Sequence, residues 1–108
     1  MNEKLSAILG DYFFAISHPL RLKILALLKE KGSLCVCQIV EILGKEQSGV
    51  SRHLQTLKSA EILEHKIEGV KSIYSIKNRD VFKIIELAKN IVYQNIKEEK
   101  ERLLSTFK

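Results

Sequence analysis

Cys35 and Cys37 are two thiols separated by a single residue. Thiolates are soft donors, and two on one short segment chelate arsenite, antimonite, Cu(I) or Cd(II) in a way one cysteine does not. In a reducing compartment such a pair stays thiol or binds a metal more often than it forms a structural bridge. On a regular helix, residues i and i+2 point about 200° apart, so both sulfurs reach one ion only where the helix is irregular or unwinds. A direct bond between them is expected to be strained, which disfavours a thiol-oxidation sensor. A buried pair with no chemistry is the remaining reading.

A second constellation lies just downstream. Gln47, Ser48, Ser51, Arg52, His53, Gln55 and Lys58 are interleaved with Val50, Leu54 and Leu57 at i, i+4 and i+7, so one helical face is apolar and the other carries long and short hydrogen-bonding groups. Arg bonds the acceptors of guanine, Gln bonds adenine, and short Ser hydroxyls reach phosphates while letting a helix enter the groove. For a helix taken alone, a solvated face explains such residues equally well, and a surface His is often merely solvated.

The elements that position these residues are legible from periodicity. Leu5, Ile8, Leu9, Tyr12, Phe13 and Ile16 form one stripe of a first helix over about 2–16. Ser17-His18-Pro19 interrupts it, since proline disfavours helical geometry in the preceding residue yet fits the first turn of a new helix; His18 reads as a capping or packing residue. A second helix is expected from about Pro19 to Lys31, burying Leu20, Ile24, Leu27 and Leu28 and stopping at Gly32. A short third helix follows over Cys35 to Leu43, closed by Gly44, and a fourth runs from about Gln47 to Ala60. The period then changes to about two in Ile62–Ile67 and Ser72–Ile76, around a connection containing Gly69, which predicts a β-hairpin. Asp80 is expected to cap a long last helix through Leu104, lined by Ile84, Ala88, Ile91, Val92, Ile96 and Leu103.

Two helices joined by a short Gly-containing turn, the second with a donor-rich outer face, describe a helix-turn-helix over about 35–60, and a hairpin over about 62–77 makes it winged. The expected fold is mainly α with a small β-hairpin wing, an α+β arrangement within one domain spanning 1–108. Charge supports a polyanionic partner. The chain has 108 residues with 18 Lys plus Arg against 13 Asp plus Glu, a formal charge of +5. The segment 52–79 holds Arg52, Lys58, Lys66, Lys71, Lys77 and Arg79 against Glu61, Glu64 and Glu68, so most of the excess falls on the fourth helix and wing. Lys71 at the hairpin tip and Lys66 before it are the wing candidates for phosphate contact.

With 45% hydrophobic and 29% charged residues, the composition is that of an ordinary soluble globular protein. No apolar run approaches the roughly 18 residues of a membrane span, and a cytoplasmic location with no membrane partner is expected. An enzyme is not expected: no nucleophile, base and orienting group cluster by motif, and there is no Gly-rich phosphate loop.

Three segments taken in order resemble the ArsR family of winged-helix metalloregulatory repressors. They are Ser17-His18-Pro19-Leu20-Arg21-Leu22-Lys23-Ile24-Leu25, Leu34-Cys35-Val36-Cys37-Gln38-Ile39-Val40, and Gln47-Ser48-Gly49-Val50-Ser51-Arg52-His53-Leu54 with Leu57. The resemblance implies a homodimer formed through the first and last helices, about 2–16 and 80–104, bound to a palindromic double-stranded DNA operator. It implies DNA contacts at Gln47, Ser48, Ser51, Arg52, His53, Gln55 and Lys58, and release by arsenite, antimonite or another soft ion at Cys35 and Cys37, with no cofactor needed for folding. The sequence departs from the family pattern where a third cysteine would stand, at Val40, and the last helix has no His after Asp80. A regulator of the same family without metal input and a winged-helix protein-interaction module are the alternatives.

Overall fold

The computed structural model describes residues 1–107. Its elements are α1 (Glu3–Ala15), α2 (Pro19–Lys31), β1 (Leu34–Cys35), α3 (Val36–Leu43), α4 (Gln47–Ser59), β2 (Leu63–Glu68), β3 (Lys71–Ile76) and α5 (Val81–Thr106). Five helices and a three-stranded antiparallel wing make a winged helix-turn-helix. The chain forms two compact units, one ending at Asn78 and one beginning at Arg79 that holds α5. Among the described residues, no helix is long and apolar enough to cross a membrane.

Local side-chain chemistry sets the starts of the first three helices. Asn2 Oδ1 accepts from the Leu5 amide at 2.8 Å. His18 accepts at Nδ1 from the Leu20 amide at 3.0 Å, with Pro19 in the first helical position, as the sequence suggested. At α3 the cap is Cys35: the Gln38 amide donates to its sulfur at 3.3 Å, and the Cys35 amide donates back to Gln38 Oε1 at 2.9 Å. This is a capping box with a thiol-derived acceptor in place of a hydroxyl. The expected cap at Asp80 does not form. Its backbone is already helical and its side chain makes no capping hydrogen bond; the carboxylate lies 3.1 Å from Lys83 Nζ instead.

α3 ends at Gly44, whose left-handed φ of 63° lets the chain reverse within three residues into α4. Glu61 takes the equivalent position after α4 at φ 59° without being glycine. There the Ile62 amide donates to Leu57 O at 3.0 Å and the Glu61 amide to Lys58 O at 2.9 Å, which closes a Schellman motif. Ile62 and Leu57 are both buried, supplying its apolar contact.

The core of the first unit is built from α2 (Ile24, Leu25, Leu28), α3 (Ile39), α4 (Val50, Leu54, Leu57) and the wing (Ile62, Leu63), all essentially inaccessible. The stripe expected on α4 is the buried one. On α2 the face is shifted: Leu25 is fully buried, whereas Leu20 in the first turn is only partly covered. β2 and β3 pair from Leu63 opposite Ile76 to Glu68 opposite Lys71, with Gly69 at φ 61° in the two-residue turn. β1 is a strand that periodicity did not predict. Only two residues long, it places Leu34 opposite Tyr74 and Cys35 opposite Ile73, giving the order β1-β3-β2.

Candidate nucleic-acid interface

α4 turns Val50, Leu54 and Leu57 into the core, and each residue advances the helix by about 100°. Gln47, Ser48, Ser51, Gln55 and Lys58 fall within one arc of about 100° that begins about 20° from Leu54, and Arg52 lies about 40° beyond its far edge. Gln47, Ser48, Arg52 and Gln55 are exposed, and Ser51 and Lys58 are partly exposed. Gln47 and Ser51 line an open cleft of about 310 Å³ together with Cys35, Val36 and Cys37 of the α3 start and Val70, Lys71, Ser72 and Tyr74 of the wing. Donors of the fourth helix, a basic wing tip and the cysteine pair therefore border the same space. Gln55 lies on the other flank, in a groove with Asp11, Phe14 and Ala15 of α1 and Thr56, Ser59 and Ala60 of α4.

His53 departs from the outer-face assignment. Its ring centroid sits 4.4 Å from that of His18, and its Nδ1 is 3.1 Å from an Arg21 guanidinium nitrogen. Arginine has no acceptor, so His53 Nδ1 accepts and the ring is neutral. Burial lowers its pKa from 6.5, and electrostatic repulsion from the neighbouring His18, Arg21 and Arg52 lowers it further. Residue 53 lies about 40° from Leu57 on the helix, at one margin of the buried face, and it is the contacts with His18 and Arg21 that set its ring apart from the other donors of α4.

Arg21 itself is 7% exposed. Its Nε donates to Ala15 O at 2.7 Å and another guanidinium nitrogen to Phe14 O at 3.1 Å, two carbonyls in the last turn of α1, of which Phe14 O also accepts from the Ser17 amide and hydroxyl. One side chain of α2 thus ties the end of α1 to the fourth helix. Sequence reasoning placed Arg21 in a motif but gave it no role. The available signal was a cation two residues after Pro19, within reach of a helix end.

The basic segment is partly neutralised. Lys66 pairs with Glu68 at 3.0 Å and Lys77 with Glu61 at 2.7 Å; the latter contact lowers the Glu61 pKa and raises that of Lys77. Exposed pairs such as these hold their partners loosely; the other cations of α4 and the wing are Arg52, Lys58 and Lys71.

The cysteines overturn an expectation. Cys35 and Cys37 are joined by a disulfide, with Cα atoms 5.4 Å apart, inside the ordinary range for such bonds. The two cysteines are not i and i+2 of one helix: Cys35 is the N-cap, with φ −76° and ψ 160°, and only Cys37 lies on α3. The extended cap swings its sulfur round to that of Cys37. The same geometry would let both reduced sulfurs face one ion. However, among the described residues no three His, Cys, Asp or Glu side chains gather to hold a metal. The pair therefore supplies two thiolate donors, and a closed tetrahedral site of the zinc kind would need two more.

Residues 18–65 match the family model described as "Bacterial regulatory protein, arsR family". The chain is 44% identical over 78 residues to the HTH-type transcriptional regulator MJ1325 of Methanocaldococcus jannaschii, covering 72% of this chain and 88% of that one. It is 33% identical over 84 residues to the arsenical resistance operon repressor of Bacillus subtilis, covering 75% and 80% respectively. Among solved structures, it is similar to the homodimeric winged helix-turn-helix DNA-binding domain Mb0332 of Mycobacterium bovis, with a TM-score of 0.75, 26% identity, and 91% of this chain and 93% of that one covered. The motifs, the winged helix-turn-helix and these relatives agree: the chain belongs to the ArsR family of helix-turn-helix transcriptional regulators, which are DNA-binding proteins and not enzymes.

Proposed function

We propose that this protein is a transcriptional repressor that binds a palindromic operator as a homodimer, inserting α4 into the major groove and laying the wing along the phosphates. The observation that carries this reading is the cleft in which Gln47 and Ser51 of α4 face Lys71 of the wing. Hydrogen-bonding groups for base edges and a cation for the backbone stand side by side there. Arg52 and Lys58 extend the surface along α4, Ser48 and Gln55 complete the outer arc, and Lys66 contributes once its exposed pairing with Glu68 opens. His53 supports the surface from behind.

Dimerisation is supported by apolar residues left exposed on α1 (Leu5, Ile8, Phe13) and on α5 (Leu87, Ile91, Ile96), and by the homodimeric Mb0332 relative. Two-fold symmetry then places the half-sites about one helical turn, roughly 34 Å, apart. The Bacillus subtilis relative is named for arsenical resistance; release from the operator by a soft metal or metalloid would act on the reduced pair, with Cys35 and Cys37 as its two thiolate donors.

Selection of bound duplexes from a randomised DNA pool tests it. Enrichment of an inverted repeat with half-sites about 10 base pairs apart is expected. A pool that stays random after repeated rounds would contradict sequence-specific operator binding.

A further inference from the structure

The cysteine pair occupies an unusual place in the fold. Cys35 is the last residue of β1, paired with Ile73 of β3, and also the N-cap of α3. One residue therefore joins the wing strand to the helix that precedes α4. The two sulfurs differ in access: Cys35 is 2% exposed, whereas Cys37 is open to solvent. Both line the cleft shared by Gln47, Ser51 and Lys71.

The geometry points to a thiol–disulfide exchange site, with Cys37 as the sulfur attacked from the cleft and a small anionic thiol as its reaction partner. A thiolate from solution attacks Cys37 Sγ. A new sulfur–sulfur bond forms to Cys37 as the Cys35–Cys37 bond breaks, and Cys35 departs as a thiolate. This first step only exchanges one disulfide for a mixed disulfide; the small thiol is itself the reductant when a second equivalent follows. The leaving group is prepared for departure: the Gln38 amide already donates to Cys35 Sγ, and a helix N-terminus stabilises a thiolate. A second thiol completes reduction by attacking the mixed disulfide, yielding the Cys35–Cys37 dithiol and the small disulfide. The cleft, at about 310 Å³, admits a peptide-sized thiol, and Lys71 favours one that carries carboxylates.

The consequence for DNA follows from charge. A neutral disulfide beside Lys71 is replaced by a Cys35 thiolate, an anionic adduct on Cys37, or both, in the space assigned to a phosphate. Affinity for DNA is therefore higher with the disulfide closed. This consequence rests on the reading of α4 and the wing as the DNA-binding face, whereas the exchange chemistry does not.

Glutathione is a suitable probe, and two readouts keep the claims separate. In the first, the oxidised wild-type chain is exposed briefly to reduced glutathione, quenched with acid, and the mixed disulfide is located by peptide mass spectrometry. An adduct on Cys37 with Cys35 free is expected; an adduct on Cys35, or equal amounts on the two, overturns the site. In the second, binding of a fluorescent duplex at fixed salt is compared for the oxidised wild-type chain and the same chain held in excess reduced glutathione. Affinity is expected to fall about tenfold on reduction, with no change in the double Cys→Ser variant. Equal affinity of the two wild-type forms, or the same loss in the double variant, overturns the coupling to DNA. If no form binds duplex, the DNA-binding reading has failed, and the position of the adduct still decides the exchange site.

Discussion

At the scale of single residues, Arg21 and His53 do work that composition conceals. Arg21 is a buried cation whose charge is matched by backbone carbonyls of Phe14 and Ala15 and by a neutral imidazole, with no carboxylate among these partners. Removing it takes the Arg21 donor from the buried Ala15 carbonyl, while Phe14 O keeps the Ser17 amide and hydroxyl, and Arg21→Ala is expected to lower stability by about 1–3 kcal/mol, measured by urea unfolding. Lysine cannot reproduce the fork, so Arg21→Lys should recover only part of the loss. His53 carries a pH dependence with a definite sign. Burial, then His18, Arg21 and Arg52, depress its pKa below 6.5 in the folded chain, so the unfolded chain binds the proton more readily. The stability from neutral His53 is fully present above pH 6.5 and is lost as pH falls through the lower folded-state value. Unfolding curves between pH 7 and pH 5 should show this acid loss, reduced in His53→Gln; an identical loss in the variant would mean that another group titrates.

At the scale of elements, α4 shows what a sequence tells and what it withholds. Val50, Leu54 and Leu57 announce the buried face, and the polar residues between them announce the exposed one. Truncation of the inner face by Leu54→Ala should cost about 2–5 kcal/mol, readable as a lower denaturant midpoint. Gly44→Ala places a Cβ in left-handed geometry and should cost about 1–2 kcal/mol while leaving α4 helical by circular dichroism. The contacts of His53 with His18 and Arg21 needed the packing of α2 on α4 and had no signal in the helical period. Nor was β1 legible. Two residues have no period, and Leu34 and Cys35 are strand only because Tyr74 and Ile73, some forty positions later, supply partners. The disulfide was hidden for the same reason: its geometry depends on Cys35 being an extended cap, a consequence of that pairing. Ion pairing between Lys66 and Glu68 and between Lys77 and Glu61 likewise needed the hairpin register before the charge of the wing could be apportioned.

At the scale of the whole molecule, a single protomer leaves apolar side chains of α5 in water, Leu87, Ile91 and Ile96 each more than half exposed. Surfaces of this kind mark association sites, and a two-fold partner also doubles the number of fourth helices offered to DNA. Sedimentation should therefore find a dimer, and Ile91→Glu should shift it toward monomer and weaken operator binding. The central claim, that α4 and the wing form an electrostatic and hydrogen-bonding footprint for duplex DNA, is tested most directly by the salt dependence of affinity. The logarithm of the binding constant should fall linearly with the logarithm of salt concentration, and Arg52→Ala and Lys71→Ala should each reduce that slope by about 1 per phosphate contact removed. Affinity that is independent of salt, or slopes unchanged by both substitutions, would contradict the account.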